Sequence, residues 1–263
     1  MPDFFDAHSH IHSREFDLDR TDVISRLKKE NVWTITVGTD KESSIEAVEA
    51  TELYEGIFAS IGQHPTDNTE ENFDSSFYVS LIANPKVLAI GECGLDYYRS
   101  KDNSEQEKLR QKKIFESQII FALENNKPLM LHCRDAYEDV LLILESYKKG
   151  AGDKLRGNVH FFAGDVSVAE RFLSLGFTLS FTGVLTFTHD YDEVVSYIPL
   201  ESILSETDCP FVAPVPFRSK RNEPAYISHI VRKIAEIKQV PFETVKEAMV
   251  KNSLTLFLGG VQR

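Results

Sequence analysis

Hydrophobic positions along this chain fall into short, β-branched runs that stop abruptly, separated by longer stretches in which apolar residues recur every three or four positions. The runs are Phe4-Phe5-Asp6, Trp33 to Val37, Ile57 to Gly62, Val87 to Glu92, Pro128 to His132, Gly157 to His160, Phe177 to Phe181 and Ser202 to Asp208. Continuous apolar runs of this length suit strands buried on both faces, as in a parallel sheet. The stretches Asp19 to Glu30, Lys41 to Glu55, Ser104 to Asn126, Asp135 to Lys149, Val166 to Leu175 and Glu223 to Lys238 predict helices with plausible caps. Strands alternating with helices imply βαβ units. Eight such strands in 263 residues predict an α/β fold, a closed (β/α)8 TIM barrel, whose usual length is about 250 residues. An open doubly wound sheet is the alternative, but no Gly-x-Gly-x-x-Gly turn follows the first strand to support it.

Several of these runs end on a residue that binds metal. His8 and His10, one residue apart on an extended strand, project to the same side. Glu92, His132, His160 and Asp208 each close a later run. In a barrel, function gathers at the C-terminal strand ends, where all six fall. Four imidazoles and two carboxylates exceed the needs of one tetrahedral zinc and fit two adjacent divalent ions sharing a carboxylate. Nitrogen and oxygen donors suit Zn, Mn, Fe or Co, with Mg less natural beside histidine. His12 has the same parity as His8 and His10, but the strand rise carries it beyond the reach of an ion they chelate, so it is not expected to be a ligand.

Cys93, Cys133 and Cys209 directly follow Glu92, His132 and Asp208. Alternation turns them away from their neighbours, so they read as small buried residues. Three cysteines form no complete disulfide framework and fit a reducing compartment.

Composition narrows the function. With 41 acidic and 29 basic residues the formal charge is -12, which argues against coating nucleic acid by bulk electrostatics. A polyanionic substrate must be held by metal and a local patch. There is no cleavable apolar leader, membrane-length run or linker, so the expectation is a cytoplasmic protein with residues 1–263 as one domain. No membrane association or obligate protein partner is evident.

The runs and their flanks also carry motifs. Asp6-Ala7-His8-Ser9-His10, Gly62-Gln63-His64-Pro65, Gly91-Glu92-Cys93-Gly94-Leu95-Asp96-Tyr97, His132-Cys133-Arg134-Asp135-Ala136, His160-Phe161-Phe162-Ala163-Gly164, Glu206-Thr207-Asp208-Cys209-Pro210-Phe211 and Arg221-Asn222-Glu223-Pro224 occur in that order. Through them the chain resembles the TatD-related metal-dependent deoxyribonucleases over essentially its whole length. The resemblance implies a TIM-type barrel in which His8, His10, Glu92 and Asp208 surround one divalent ion and Glu92, His132 and His160 a second, with Glu92 as the bridge. The ions would lower the pKa of a shared water and orient a phosphodiester. Asp208 would orient or deprotonate that water, so Glu92 and Asp208 are the catalytic candidates. The implied activity is 3′-to-5′ exodeoxyribonuclease action on single-stranded or frayed DNA, leaving a 5′-phosphate and a 3′-hydroxyl. Hydrolysis of an amide, lactone or aminoacyl ester is the alternative, and a non-catalytic barrel scaffold a third reading. Related amide and lactone hydrolases often use a carbamylated lysine as bridge, where this chain has Glu92.

The chain departs from the pattern at Ile11-His12, where Leu-Asp is frequent, at Phe161 and Ala163, where Cys and Ser are, and at Phe217 and Ser219. These positions alter the pocket wall rather than the ligand set.

Three residues are candidates for substrate binding. His64 ends a strand before Pro65 and either contacts phosphate or serves as a structural turn histidine. Arg134 shares the parity of His132 and suits a phosphate, with an ion pair to Asp135 or Glu92 as its other use. Arg218 belongs with Lys220 and Arg221 to a basic cluster beside the Asp208 segment, expected to contact phosphate. Asp96 is expected to shape its loop. Asn222-Glu223-Pro224 reads as a helix start with Asn222 as cap. Tyr97, Tyr98, Phe161, Phe162 and Phe217 are the aromatic residues available to stack bases.

Overall fold

In a computed structural model, which describes residues 1–67, 71–100 and 104–259, every predicted run forms a strand: β1 (Phe4–Ser9), β2 (Val32–Val37), β3 (Ile57–Ile61), β4 (Val87–Asp96), β5 (Leu129–Arg134), β6 (Gly157–Val159), β7 (Phe177–Phe181) and β8 (Ile203–Ser205). All neighbours pair in parallel, in the order β1 through β8. Closure of the barrel comes from backbone bonds between the first and last strand regions, Asp208 N–H to the His8 carbonyl (2.9 Å) and His10 N–H to the Cys209 carbonyl (2.8 Å). The open sheet is thereby ruled out.

The connecting helices are α1 (Arg20–Lys29), α2 (Lys41–Ala50), α3 (Ser75–Ile82), α4 (Glu105–Glu124), α5 (Tyr137–Ala151), α6 (Val166–Ser174), α7 (Asp192–Tyr197) and α8 (Ile227–Lys238), with α9 (Phe242–Leu258) at the end. Helix α8 shows why periodicity works: Ile227, Ile230, Val231, Ile234 and Ala235 form one buried stripe. Side-chain caps fix several starts, including the Asp40–Ser43 capping box of α2, Ser104 on the Glu107 N–H and Asp165 on the Val168 N–H.

Three helices escape the periodic reading. Helices α3 and α7 are short, and α9 buries polar Asn252 and Ser253 among its apolar residues. Asn252 belongs there because its Nδ2 donates to the carbonyls of Leu200 (2.8 Å) and Ile203 (2.9 Å). The start of α8 also needs correction. Pro224–Tyr226 form a 3-10 turn before it, and Asn222 does not cap the helix. Its Nδ2 instead donates to the Thr207 (2.8 Å) and Phe211 (2.7 Å) carbonyls, bracing the segment after β8.

One large core lies between the strands and the helices. A smaller one joins Phe5, Ile35, Phe58, Met130 and Leu204 of the strands to Val250, Leu254 and Phe257 of α9. No helix among the described residues is long and apolar enough to cross a membrane.

Candidate metal centre

Two register irregularities fall on ligand-bearing segments, between Asp6 and Ser9 in β1 and between Ile90 and Cys93 in β4. Local breaks of register re-aim side chains, and here they carry His8 and Glu92. Gly91 and Gly94 adopt φ of +148° and +140°, and a Cβ at either would collide with the Met130 or His132 carbonyl. Only glycine lets β4 run this close to β5 around Glu92.

All six predicted ligands converge at the C-terminal end of the barrel, His10 partly buried and the others buried, on a cavity of about 1180 Å³. His8 Nε2 and His10 Nε2 lie 3.1 Å apart. Glu92 Oε2 is 3.5 Å from the first and 4.0 Å from the second; Asp208 Oδ1 is 3.8 and 3.6 Å away. The other Glu92 oxygen, Oε1, meets His132 Nδ1 at 2.7 Å and His160 Nε2 at 3.4 Å. Glu92 therefore faces two donor groups, one oxygen toward each. Nitrogens bound to one ion at about 2.0–2.1 Å, at angles from octahedral to tetrahedral, stand about 2.8–3.4 Å apart, so the 3.1 Å histidine pair fits a shared divalent cation. The absence of thiolate from the set also fits, because Cys93, Cys133 and Cys209 are buried with their thiols pushed up by burial.

Polar groups behind the donors fix their orientation. His10 Nδ1 donates to the Val37 carbonyl (2.7 Å), which leaves Nε2 as the lone pair facing the cluster. His132 Nε2 bonds Asp96 Oδ2 (2.9 Å), and His160 Nδ1 bonds Glu206 Oε1 (3.0 Å). Glu206 is held in turn by the Phe161 N–H (2.7 Å) and the Ser180 hydroxyl (2.6 Å). Asp208 sits at φ +54° on a segment tied down by Asp6, whose carboxylate accepts from the Thr207 N–H (2.8 Å) and hydroxyl (2.6 Å). His8 Nδ1 alone among these ring nitrogens is buried with no hydrogen-bond partner among the described residues.

Electrostatics in the cluster follow from this crowding. Burial opposes the charged form of every member. The carboxylates outweigh it at His160, held well above the ordinary histidine value by Glu206 and Glu92, and at His10 and His132, raised by Asp208 and by Asp96 with Glu92. Burial prevails at His8, which is lowered. Glu92 stays well below the carboxylate range because His160 and His132 overcome its desolvation. A divalent cation bound among these groups would compete with protons for the same nitrogens and oxygens.

His12 lies in the cavity wall with Nδ1 on the Thr36 hydroxyl (2.7 Å) and is pushed down to about 3 by burial, His10 and Arg20. None of the donor groupings among the described residues contains it. His64 has the local bonds of a turn histidine and also borders the cluster. Its Nε2 is 3.6 Å from Glu92 Oε1, while Nδ1 faces the Thr66 hydroxyl (3.1 Å) and Asp67 (3.3 Å). Asp96 shapes its loop, accepting the Tyr98 (2.9 Å) and Arg99 (2.6 Å) N–H groups, and also orients His132. Arg134 lines the cavity with its guanidinium 4.0 Å over the Tyr98 ring.

The basic cluster divides. Arg221 is bound to Asp19 at 2.6 and 2.7 Å and to the Glu15 carbonyl, so its expected phosphate contact is replaced by a structural ion pair. Arg218 lies 3.7 Å over the exposed Phe187 ring and is not among the cavity-lining residues. Of the aromatics, Phe162 is core, Tyr97 bonds Asp139 and Phe217 stacks on Tyr226 at 3.8 Å; Phe161 lines the cavity. Glu206 is the functional residue that sequence reasoning passed over. Its signal was a carboxylate two positions before Asp208 at the end of the same apolar run.

A parallel barrel with buried histidines and carboxylates converging at its C-terminal end is the architecture of a metal-dependent hydrolase. The comparisons agree. A family model described as TatD related DNase matches residues 5–258, and the chain belongs to that family. It is 41% identical to the uncharacterized metal-dependent hydrolase YabD of Bacillus subtilis, covering 96% of this chain and 98% of that one. Identity to the uncharacterized metal-dependent hydrolase YcfH of Escherichia coli is 32%, covering 96% and 94%. The crystal structure of YJJV, a TatD homologue from Escherichia coli, superposes with a TM-score of 0.88 at 26% identity over 97% and 98% of the two chains.

Proposed function

We propose that this protein is a divalent-metal-dependent phosphodiesterase that acts as a 3′-to-5′ exodeoxyribonuclease on single-stranded or frayed DNA. The observation that carries the reading is Glu92, one carboxylate with an oxygen toward each of two donor groups. His8, His10, Glu92 and Asp208 would hold one ion and Glu92, His132 and His160 the other. Two such ions, whether Zn, Mn, Mg, Fe or Co, supply Lewis acidity that acidifies an attacking water and neutralises charge on phosphoryl oxygens. Asp208, whose Oδ1 lies 3.8 and 3.6 Å from His8 and His10 Nε2, would orient that water or take up its proton. His64 Nε2, near Glu92, suits a hydrogen bond to phosphate, and Arg134 a second phosphate contact.

Charge on the cavity wall supports an end-acting nuclease. Eight carboxylates and four guanidinium groups line the cavity, so two divalent ions would offset the surplus. Arg99 and Arg134 occupy the β4–β5 sector, whereas Glu42, Glu46 and Glu49 of α2 line the cavity elsewhere, with Arg20 partly offsetting Glu46. A polyanion is drawn along the first and repelled from the second. Glu92 at the bridging position, in place of a carbamylated lysine, favours the phosphodiester over an amide or lactone.

End-labelled single-stranded oligonucleotides, incubated with the metal-loaded protein, test the reading. Stepwise shortening from the 3′ end and release of 5′-mononucleotides are expected. Asp208→Asn should lower kcat about 10²- to 10⁴-fold with little change in KM. Hydrolysis of an aminoacyl ester without cleavage of DNA would overturn it.

A further inference from the structure

We propose that Phe161 is the stacking platform for the nucleobase next to the scissile phosphate, an inference that rests on the phosphodiesterase reading above. Its backbone is the first reason. Phe161 sits at φ +46°, a left-handed conformation in which a bulky side chain is an outlier and which persists only where the surroundings impose it. The surroundings do so through Glu206, whose Oε1 accepts both the Phe161 N–H (2.7 Å) and His160 Nδ1 (3.0 Å). One carboxylate oxygen thus ties the Phe161 backbone to the same anchor that orients His160.

Side-chain placement is the second reason. Phe162 is buried among Tyr137, Phe172 and Phe181, as a packing residue should be. Phe161, its neighbour, stays partly exposed on the cavity with its ring centroid 6.0 Å from that of His160. Core packing accounts for the first phenylalanine and leaves the second unexplained.

Chemistry of the wall is the third. Phe161 lines the cavity together with Ala163 of the same loop and with Tyr191, Phe211 and Val212 from the following loops, and Arg99 and Arg134, after β4 and at the end of β5, add cationic groups to the same cavity. A planar ring beside His160 and cationic groups in the same cavity match the alternation of base and phosphate along a nucleotide.

The test compares a single-stranded oligonucleotide with the same strand bearing an abasic residue at the scissile position, using the metal-loaded protein. Wild type should prefer the intact strand by about five- to a hundredfold in kcat/KM, the range that base stacking gives, and mainly through KM. Phe161→Ala should collapse that preference toward unity, and Phe161→Trp should restore it. A Phe161→Ala protein that keeps the preference, or loses activity equally on both strands, would overturn the assignment. Wild-type protein that cleaves neither strand would instead remove the phosphodiesterase reading, and this inference with it.

Discussion

On the floor of the cavity, His10, His132 and His160 each tie one ring nitrogen to a carbonyl or carboxylate behind it and turn the other toward Glu92 and Asp208. On the wall, Arg134 lies over a tyrosine ring and Arg99 projects into solvent, each flanked by open cavity. Charge is used differently in the two places. Buried charges in contact cannot be removed singly without leaving a partner uncompensated, so the floor behaves as one unit. Exposed wall charges are screened and act additively. Changes on the floor should therefore alter metal content and turnover, and changes on the wall should alter affinity.

Glu92→Gln is the most severe way to probe the floor. It removes the charge shared by two donor groups, so occupancy of both sites should fall together and activity by about a thousandfold or more. Elemental analysis alongside kcat decides; a variant keeping two ions at full turnover would break the idea of a unit. Glu206→Gln asks how far the floor extends. The residue is fully buried and contacts the cluster through His160, and loss of such a partner weakens metal affinity about 10- to 100-fold. Metal titration followed by melting temperature reads this out, since an ion that binds only the folded state raises Tm.

The wall should respond more gently. Arg134→Ala is expected to raise KM several-fold and to reduce the salt dependence of DNA binding by about one phosphate contact, with metal content unaltered. Arg218→Ala, outside the cavity, should do the same to a smaller degree. Equilibrium binding at two ionic strengths ranks the pair, and an Arg218 effect exceeding that of Arg134 would redraw the path of the strand.

The sequence read the floor better than the wall, for a physical reason. A strand end fixes where a side chain goes, and His8, His10, Glu92, His132, His160 and Asp208 could be placed by parity and apolar runs alone. Loop residues lack such a rule. Arg221 looked like a phosphate contact until Asp19, about 200 positions earlier in the chain, proved to hold it. Asn222 looked like a cap, yet its amide braces two carbonyls of the Asp208 segment. Glu206 had the right parity but no signal separating an orienting carboxylate from a core substitution. Helix α9 was missed because its buried face mixes polar and apolar residues, which blurs the 3.6-residue period.

The clamp between Asp6 and Thr207 joins residues 201 positions apart. A ribosome adding about 5–20 residues per second needs roughly 10–40 s to travel between them. Throughout that interval the nascent chain carries His8 and His10 without Asp208, and the barrel has no last strand to close against its first. The cluster is thus completed late in synthesis: a chain stalled before residue 207 carries His8, His10, Glu92, His132 and His160 but lacks both the Asp6–Thr207 clamp and Asp208.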